Sequence, residues 1–268
     1  MGIIEEILVR PKLRQKLWQW WYPFFTRRVR AQGISFLNYS FEAEGEDRLE
    51  LRPEDEADRP NIQLYQHVLG GVDLRGKRVL EVSCGHGGGA SYFARYLGPA
   101  EYIGLDLNPE AIRYCQDKHR SEGLHFMVGD AQSLPFPEAS FDVVINVEAS
   151  HCYPDFPGFV GQVARVLKPG GWFCHADMRY PNGRAEWVDA LARHPQMRLD
   201  QMRLINPEVM RGMELNTPRY EAMVRQALPC FLHGVAMDFA GVKGSRLYRD
   251  AASGEMTYRS FRLQRRHA

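Results

Sequence analysis

The chain has 268 residues, 44% of them hydrophobic and 25% charged, which suits one folded domain with an added cap and excludes long disorder. Its 34 basic and 33 acidic residues leave a net charge of +1, so no global field selects nucleic acid or acidic partners. Five scattered cysteines without C-x-x-C pairing, no run near ~18 apolar residues and a start, "MGIIEEILVRPKLRQK", without a secretory signal predict reduced thiols, no transmembrane segment and a cytoplasmic location.

Residues 3 to 30 read as a helical lead-in, with Trp18, Trp20, Trp21, Tyr22, Phe24 and Phe25 beside Arg27, Arg28 and Arg30, and Pro23 kinking or ending the helix. This mixture suits a lid, ordinary packing or weak contact with a membrane surface. The acidic stretch 42 to 60 reads as a surface linker, making residues 1–60 a lid and linker ahead of a main domain over 61–268. From residue 61 the pattern alternates: helix 61 to 69, strand 78 to 82, helix 88 to 97, strand 101 to 106, helix 109 to 120. Strands 124 to 129 and 141 to 147, helix 155 to 167 and strand 171 to 177 follow. The alternation predicts an α/β fold with a parallel sheet covered on both faces. After Asp177 a methionine-rich helical cap is expected over about 180 to 235, then strands near 236 to 243 and 256 to 264 closing the sheet as a terminal antiparallel hairpin.

The stretch "LEVSCGHGGGASYFARYL", residues 80 to 97, takes the chain from a strand through a glycine-dense turn into a helix, a geometry shared by many nucleotide binders. The neighbouring strand ends narrow it. Asp106 ends the second strand, where a carboxylate can accept from both hydroxyls of an adenosine ribose. Gly129-Asp130-Ala131 ends the third, where an acidic side chain can accept from the adenine amino group and a backbone N–H can donate to the ring.

"VLEVSCGHGGG", "YIGLDLNPEAI", "GDAQSLPFPEASFDVV" and "RVLKPGG", in that order, resemble the signatures of class I S-adenosylmethionine-dependent methyltransferases across residues 76 to 177. The resemblance implies a Rossmann-like seven-stranded sheet, mostly parallel with an antiparallel end, and S-adenosylmethionine as cofactor with S-adenosylhomocysteine as product. It also implies that Glu81 orients the glycine turn or the methionine ammonium, that Gly85 and Gly87 approach the cofactor, and that Ser83 and Cys84 line its methionine side by their backbones. Asp106 would hold the ribose, and Asp130 with Ala131 would read adenine; Leu107, Gln132 and Asn146 complete the candidate cofactor set. Ser83 departs from the family's usual first glycine.

"LEVSCGHGGGASY", "IGLDLN", "EASHCYPDF", "WYPFFTR" and "GEMTYRSF" extend the resemblance to the phthiotriol and phenolphthiotriol dimycocerosate O-methyltransferases over nearly the whole chain. The activity this implies is O-methylation of a hydroxyl on a lipid, polyketide or glycoside. A secondary alcohol is a weak nucleophile, so attack on a sulfonium needs a placed base. His151, just beyond the fourth strand, is the candidate, neutral near pH 7 at its ordinary pKa and oriented by Asp177 after the fifth. Tyr39 resembles the aromatic segment that roofs the methionine end in related enzymes. Glu148 with Asp177 forms the alternative of a Mg²⁺ site beside the acceptor, which is not the favoured reading. Carbon methylation of a lipid or isoprenoid ring, and a cofactor-binding descendant acting as a cyclase or regulator, are the other functional readings; the oligomeric state is left open.

Overall fold

The structure is a computed structural model and describes residues 33–45 and 48–267. The aromatic lead-in read as a lid or membrane contact lies outside the described residues. Helix α1, Arg59–Leu69, precedes β1, Arg78–Val82; α2, Gly88–Leu97, leads to β2, Glu101–Asp106; α3, Pro109–Lys118, leads to β3, Leu124–Val128. Strand β4, Phe141–Val147, α4, Phe156–Val166, and β5, Leu167–Arg179, complete the parallel part. Then come α5, Pro181–Ala192, β6, Met197–Leu204, α6, Asn206–Ala227, α7, His233–Ala240, α8, Arg246–Ser253, and β7, Thr257–Arg265.

The seven strands run in the order β3-β2-β1-β4-β5-β7-β6. Pairing is parallel from β3 to β5 and antiparallel for β7 against both β5 and β6. The antiparallel end of the sheet is as expected, and β7 is the strand predicted near 256 to 264, but its second strand is not the predicted one. Residues 236 to 240 form the end of α7, stopped by Gly241 at φ 64°, and the edge strand is Met197–Leu204, inside the region expected to be helical. That edge strand is exposed along most of its length, and its apolar alternation (Met197, Leu199, then Met202, Leu204) changes parity at a register shift between Leu199 and Gln201, so no single two-residue period runs through it.

Two-residue periodicity sorts the strand side chains between two cores. Val79, Tyr102, Val143, Ile145 and Tyr258 pack with Tyr65 of α1, Phe93 of α2 and Ile112 of α3. Leu80, Val82, Val144, Phe173 and Phe261 pack on the other face with Phe159 of α4 and Trp187 of α5. The acidic segment read as a linker is docked: a short 3₁₀ helix, Pro53–Asp58, places Asp55 where Arg95 grips both carboxylate oxygens at 2.7 and 2.8 Å and Tyr96 donates at 2.6 Å. Charge thus fastens this stretch to α2.

Candidate active site

Parallel strands deliver their carboxyl ends to one edge of the sheet, where ligands of open α/β folds bind. A cavity of about 430 Å³ lies there, walled by residues following β1, β2, β3 and β4 and by the segment around Leu37 and Asn38. Ser83, Cys84, Gly85, Asp106, Leu107, Asp130, Ala131, Gln132 and Glu148 from the expected set all reach it. Glu81, Gly87, Asn146, Tyr39, His151 and Asp177 are not part of its wall.

Asp106 anchors the middle. One carboxylate oxygen accepts from the Gly85 N–H at 2.9 Å and the other from the Asn108 N–H at 2.8 Å. Each oxygen keeps a lone pair for a ligand hydroxyl. Burial pushes its pKa up to about 6, against the lowering effect of those two N–H groups. Beyond it, Asp130 accepts from the Gln132 N–H at 2.9 Å, and the buried Gln132 Nε2 has no partner within the protein. A carboxylate with spare lone pairs, a second one strand further out and an unspent amide donor fit an adenosine moiety.

Strand parity explains the residues that stand back. Glu81 shares the face of Val79, so its oxygens point into the helix-covered core, where Tyr65 donates at 2.8 Å and Tyr102 at 2.9 Å. From there it braces the turn from beneath, and burial raises its pKa to about 7. A Cβ on Gly87 would lie 2.9 Å from Phe126 and 3.0 Å from Cys115, so this glycine serves close packing of the turn on α3 and β3. Asn146 faces the other core, and its Nδ2 donates to the Val82 carbonyl at 2.9 Å and the Tyr153 hydroxyl at 3.0 Å.

Ser83 adopts φ 60°, a left-handed backbone that glycine takes without strain, which is why this position suits glycine elsewhere. Its Oγ lies 2.6 Å from the Tyr153 hydroxyl. Tyr153 was not singled out in the sequence; an aromatic residue two places after His151 carries no signal of its own.

The second cluster follows β4. A short 3₁₀ turn, Ser150–Cys152, sets the His151 backbone N–H 2.8 Å from one Asp177 oxygen and its Nδ1 2.8 Å from the other. Ser150 adds a 2.5 Å bond and Arg179 an ion pair at 3.1 Å to the same carboxylate, which is fully buried. Burial alone would raise the Asp177 pKa, but His151 and Arg179 hold it well below the carboxylate range. Burial disfavours an imidazolium at His151, yet Cys152 and Asp177 outweigh it and raise its pKa well above 6.5. Pairing with Asp177 therefore favours the protonated imidazole more than the unperturbed value does. With Nδ1 turned to the carboxylate, Nε2 is the nitrogen that exchanges a proton.

Glu148 sits at φ 49°, accepts the Tyr39 N–H at both oxygens, 2.8 and 2.9 Å, and the Tyr258 hydroxyl at 2.5 Å. Burial pushes its pKa up to about 8. Tyr39 is thereby tied to the cavity wall through its backbone, while its hydroxyl donates to the Phe239 carbonyl at 3.1 Å.

The family described as "Methyltransferase domain" matches residues 80–175. A probable phthiotriol/phenolphthiotriol dimycocerosates methyltransferase 2 of Mycobacterium ulcerans (strain Agy99) is 49% identical over 234 residues, covering 87% of this chain and 90% of that protein. The chain belongs to this family of S-adenosylmethionine-dependent methyltransferases. A fatty-acid O-methyltransferase of Mycolicibacterium smegmatis is 44% identical to the methyltransferase described here, over 93% of this chain and 90% of its own. In fold the methyltransferase is also similar to a geranyl diphosphate C-methyltransferase from Streptomyces coelicolor A3(2), solved with Mg²⁺, geranyl diphosphate and S-adenosyl-L-homocysteine. The TM-score is 0.68 at 14% identity, over 94% of this chain and 97% of that one.

A Mg²⁺ site built on Glu148 and Asp177 does not suit the geometry. Both carboxylates already accept from protein donors, and Arg179 stands 3.1 Å from Asp177 where a second cation would be repelled. Among the described residues no group of three or more His, Cys, Asp or Glu side chains is arranged to hold a metal ion. No helix among them is long and apolar enough to cross a membrane.

Proposed function

We propose that this methyltransferase transfers the methyl group of S-adenosylmethionine to a hydroxyl oxygen of a lipid, polyketide or glycoside-type metabolite, with His151 as general base. The observation that carries this reading is the His151–Asp177 pair, held by two 2.8 Å bonds immediately beyond the cavity wall formed by Glu148, Ala149 and Cys152. The bound cofactor supplies an electrophilic methyl on a sulfonium sulfur. Asp106 and Asp130 with Gln132 would hold its adenosine half. His151 Nε2 would take the proton of the acceptor hydroxyl as the new C–O bond forms and the S–CH₃ bond breaks, and Asp177 would stabilise the resulting imidazolium.

A raised pKa makes His151 a stronger base when it is unprotonated, at the cost of being unprotonated less often near pH 7. That trade suits an aliphatic hydroxyl, which gives up its proton only to a base placed close to it. Support for a lipidic acceptor comes from the relatives' names, which refer to phthiotriol dimycocerosates and a fatty acid. The test is transfer of labelled methyl from S-adenosylmethionine to a panel of long-chain alcohols, polyketide diols and glycosides, with the labelled atom located by mass spectrometry; label on oxygen is the expected result.

A further inference from the structure

We infer that the Ser83 hydroxyl, aimed by Tyr153 and Asn146, is a hydrogen-bond donor to the carboxylate at the amino-acid end of the cofactor. The inference rests on the cofactor reading given above and concerns a contact through the Ser83 side chain, with Tyr153 and Asn146 as positioning residues.

Proton direction along the chain of contacts supports it. Asn146 Nδ2 has only hydrogens to offer, and it spends them on the Val82 carbonyl and the Tyr153 oxygen. The Tyr153 oxygen, receiving that bond, has one hydrogen of its own, and Ser83 Oγ at 2.6 Å is the partner for it. Either hydroxyl can donate across this contact; with Tyr153 as the donor, both of its bonds close within the protein. In that arrangement Ser83 accepts from Tyr153 and keeps its own hydrogen for something in the cavity that both residues line.

The strand order says what that something is. Asp130 follows β3, Asp106 ends β2, Ser83 follows β1 and Tyr153 follows β4, and these four strands are neighbours in that order, about 4.8 Å apart. An adenosine held by Asp130 and Asp106 directs the remaining, amino-acid half of the cofactor across Ser83 toward the β4 loop. The acceptor of a hydroxyl hydrogen on that half is its carboxylate. Ser83 also holds a left-handed backbone at φ 60°, and the bond to Tyr153 ties that conformation in place.

The experiment compares two ligands on the full chain by calorimetry: S-adenosylhomocysteine, and 5′-methylthioadenosine, which has the adenosine but no amino-acid end. Ser83→Ala and Tyr153→Phe are each expected to weaken S-adenosylhomocysteine about tenfold, the scale of one hydrogen bond to a charged group, and to leave 5′-methylthioadenosine within about twofold. The double variant should lose no more than either single one. Ser83→Gly removes the backbone strain and the hydroxyl together; it should behave like Ser83→Ala. Tighter S-adenosylhomocysteine binding by Ser83→Gly, equal losses for both ligands, or additive losses in the double variant would overturn the inference. If the unmodified protein bound neither ligand, the cofactor reading itself would fall, and this contact with it.

Discussion

Asp177 takes both the backbone N–H and the ring Nδ1 of His151 at 2.8 Å, one on each carboxylate oxygen, so a single buried group fixes where the imidazole sits and which way it faces. His151→Ala is expected to lower kcat by about 10²- to 10⁴-fold, the range of a lost general base, while cofactor affinity measured by calorimetry stays within about twofold. Retained turnover would exclude His151 as the base.

The same pair sets a pH dependence. A base with a pKa raised above 6.5 loses its proton only at higher pH, so log kcat should climb with pH through the neutral range and level off above the His151 pKa. Stability runs the other way. The folded pKa of His151 is raised, so the pair's contribution is complete below about 6.5 and fades as pH rises through the folded value. For Asp177 the folded pKa is depressed; its contribution is present above about 3.9 and lost as pH falls through the lower folded value. A kcat profile flat from pH 6 to 9 would contradict the assignment.

Cofactor affinity should carry a separate titration. The Asp106 pKa is about 6, raised by burial, and only the ionised carboxylate has full acceptor capacity for two hydroxyls. Affinity for S-adenosylhomocysteine should therefore fall as pH drops below about 6, and Asp106→Asn should weaken binding about 10- to 100-fold at pH 7.5 while removing that pH dependence. Calorimetry across pH 5 to 8 checks both.

Much of the cofactor side was legible because its signals are local. Turn, strand end and helix start follow one another within a few residues, and Asp106 and Asp130 end adjacent strands. For Glu81 the motif leaves two roles open, orienting the glycine turn or meeting the methionine ammonium; the parity of β1 turns its carboxylate to Tyr65 and Tyr102, a placement that suits the first. The contacts of Tyr153 were not legible, since Ser83 is 70 residues away and only the β1–β4 pairing brings them together. The edge strand β6 is hard to read because "MRLDQMRL" alternates only in two short halves of opposite parity, broken where its register on β7 shifts between Leu199 and Gln201, and most of its side chains are exposed; the strand expected near 236 to 243 is a helix end instead.

The segment over the cavity depends on a close backbone approach. A Cβ on Gly212 of α6 would lie 2.3 Å from the Phe41 nitrogen and 2.4 Å from the Ser40 carbonyl carbon, neither of which can swing aside. Gly212→Ala should destabilise the protein by about 1–3 kcal/mol despite alanine's better helix propensity, lowering Tm by several degrees. It should also weaken cofactor binding, because Asn38 lines the cavity and Tyr39 is tied to Glu148. An unchanged melting curve would mean that α6 and residues 38 to 41 are not packed as described.

Oxygen methylation is tested most directly by the position of the transferred methyl group. Incubation with S-adenosylmethionine carrying a ¹³C-labelled methyl and a long-chain secondary alcohol, followed by carbon NMR of the product, should give a labelled methoxy resonance in the protein-dependent sample, formed far more slowly with His151→Ala. A label appearing on carbon, or no transfer to any hydroxylated lipid, polyketide or glycoside, would contradict it.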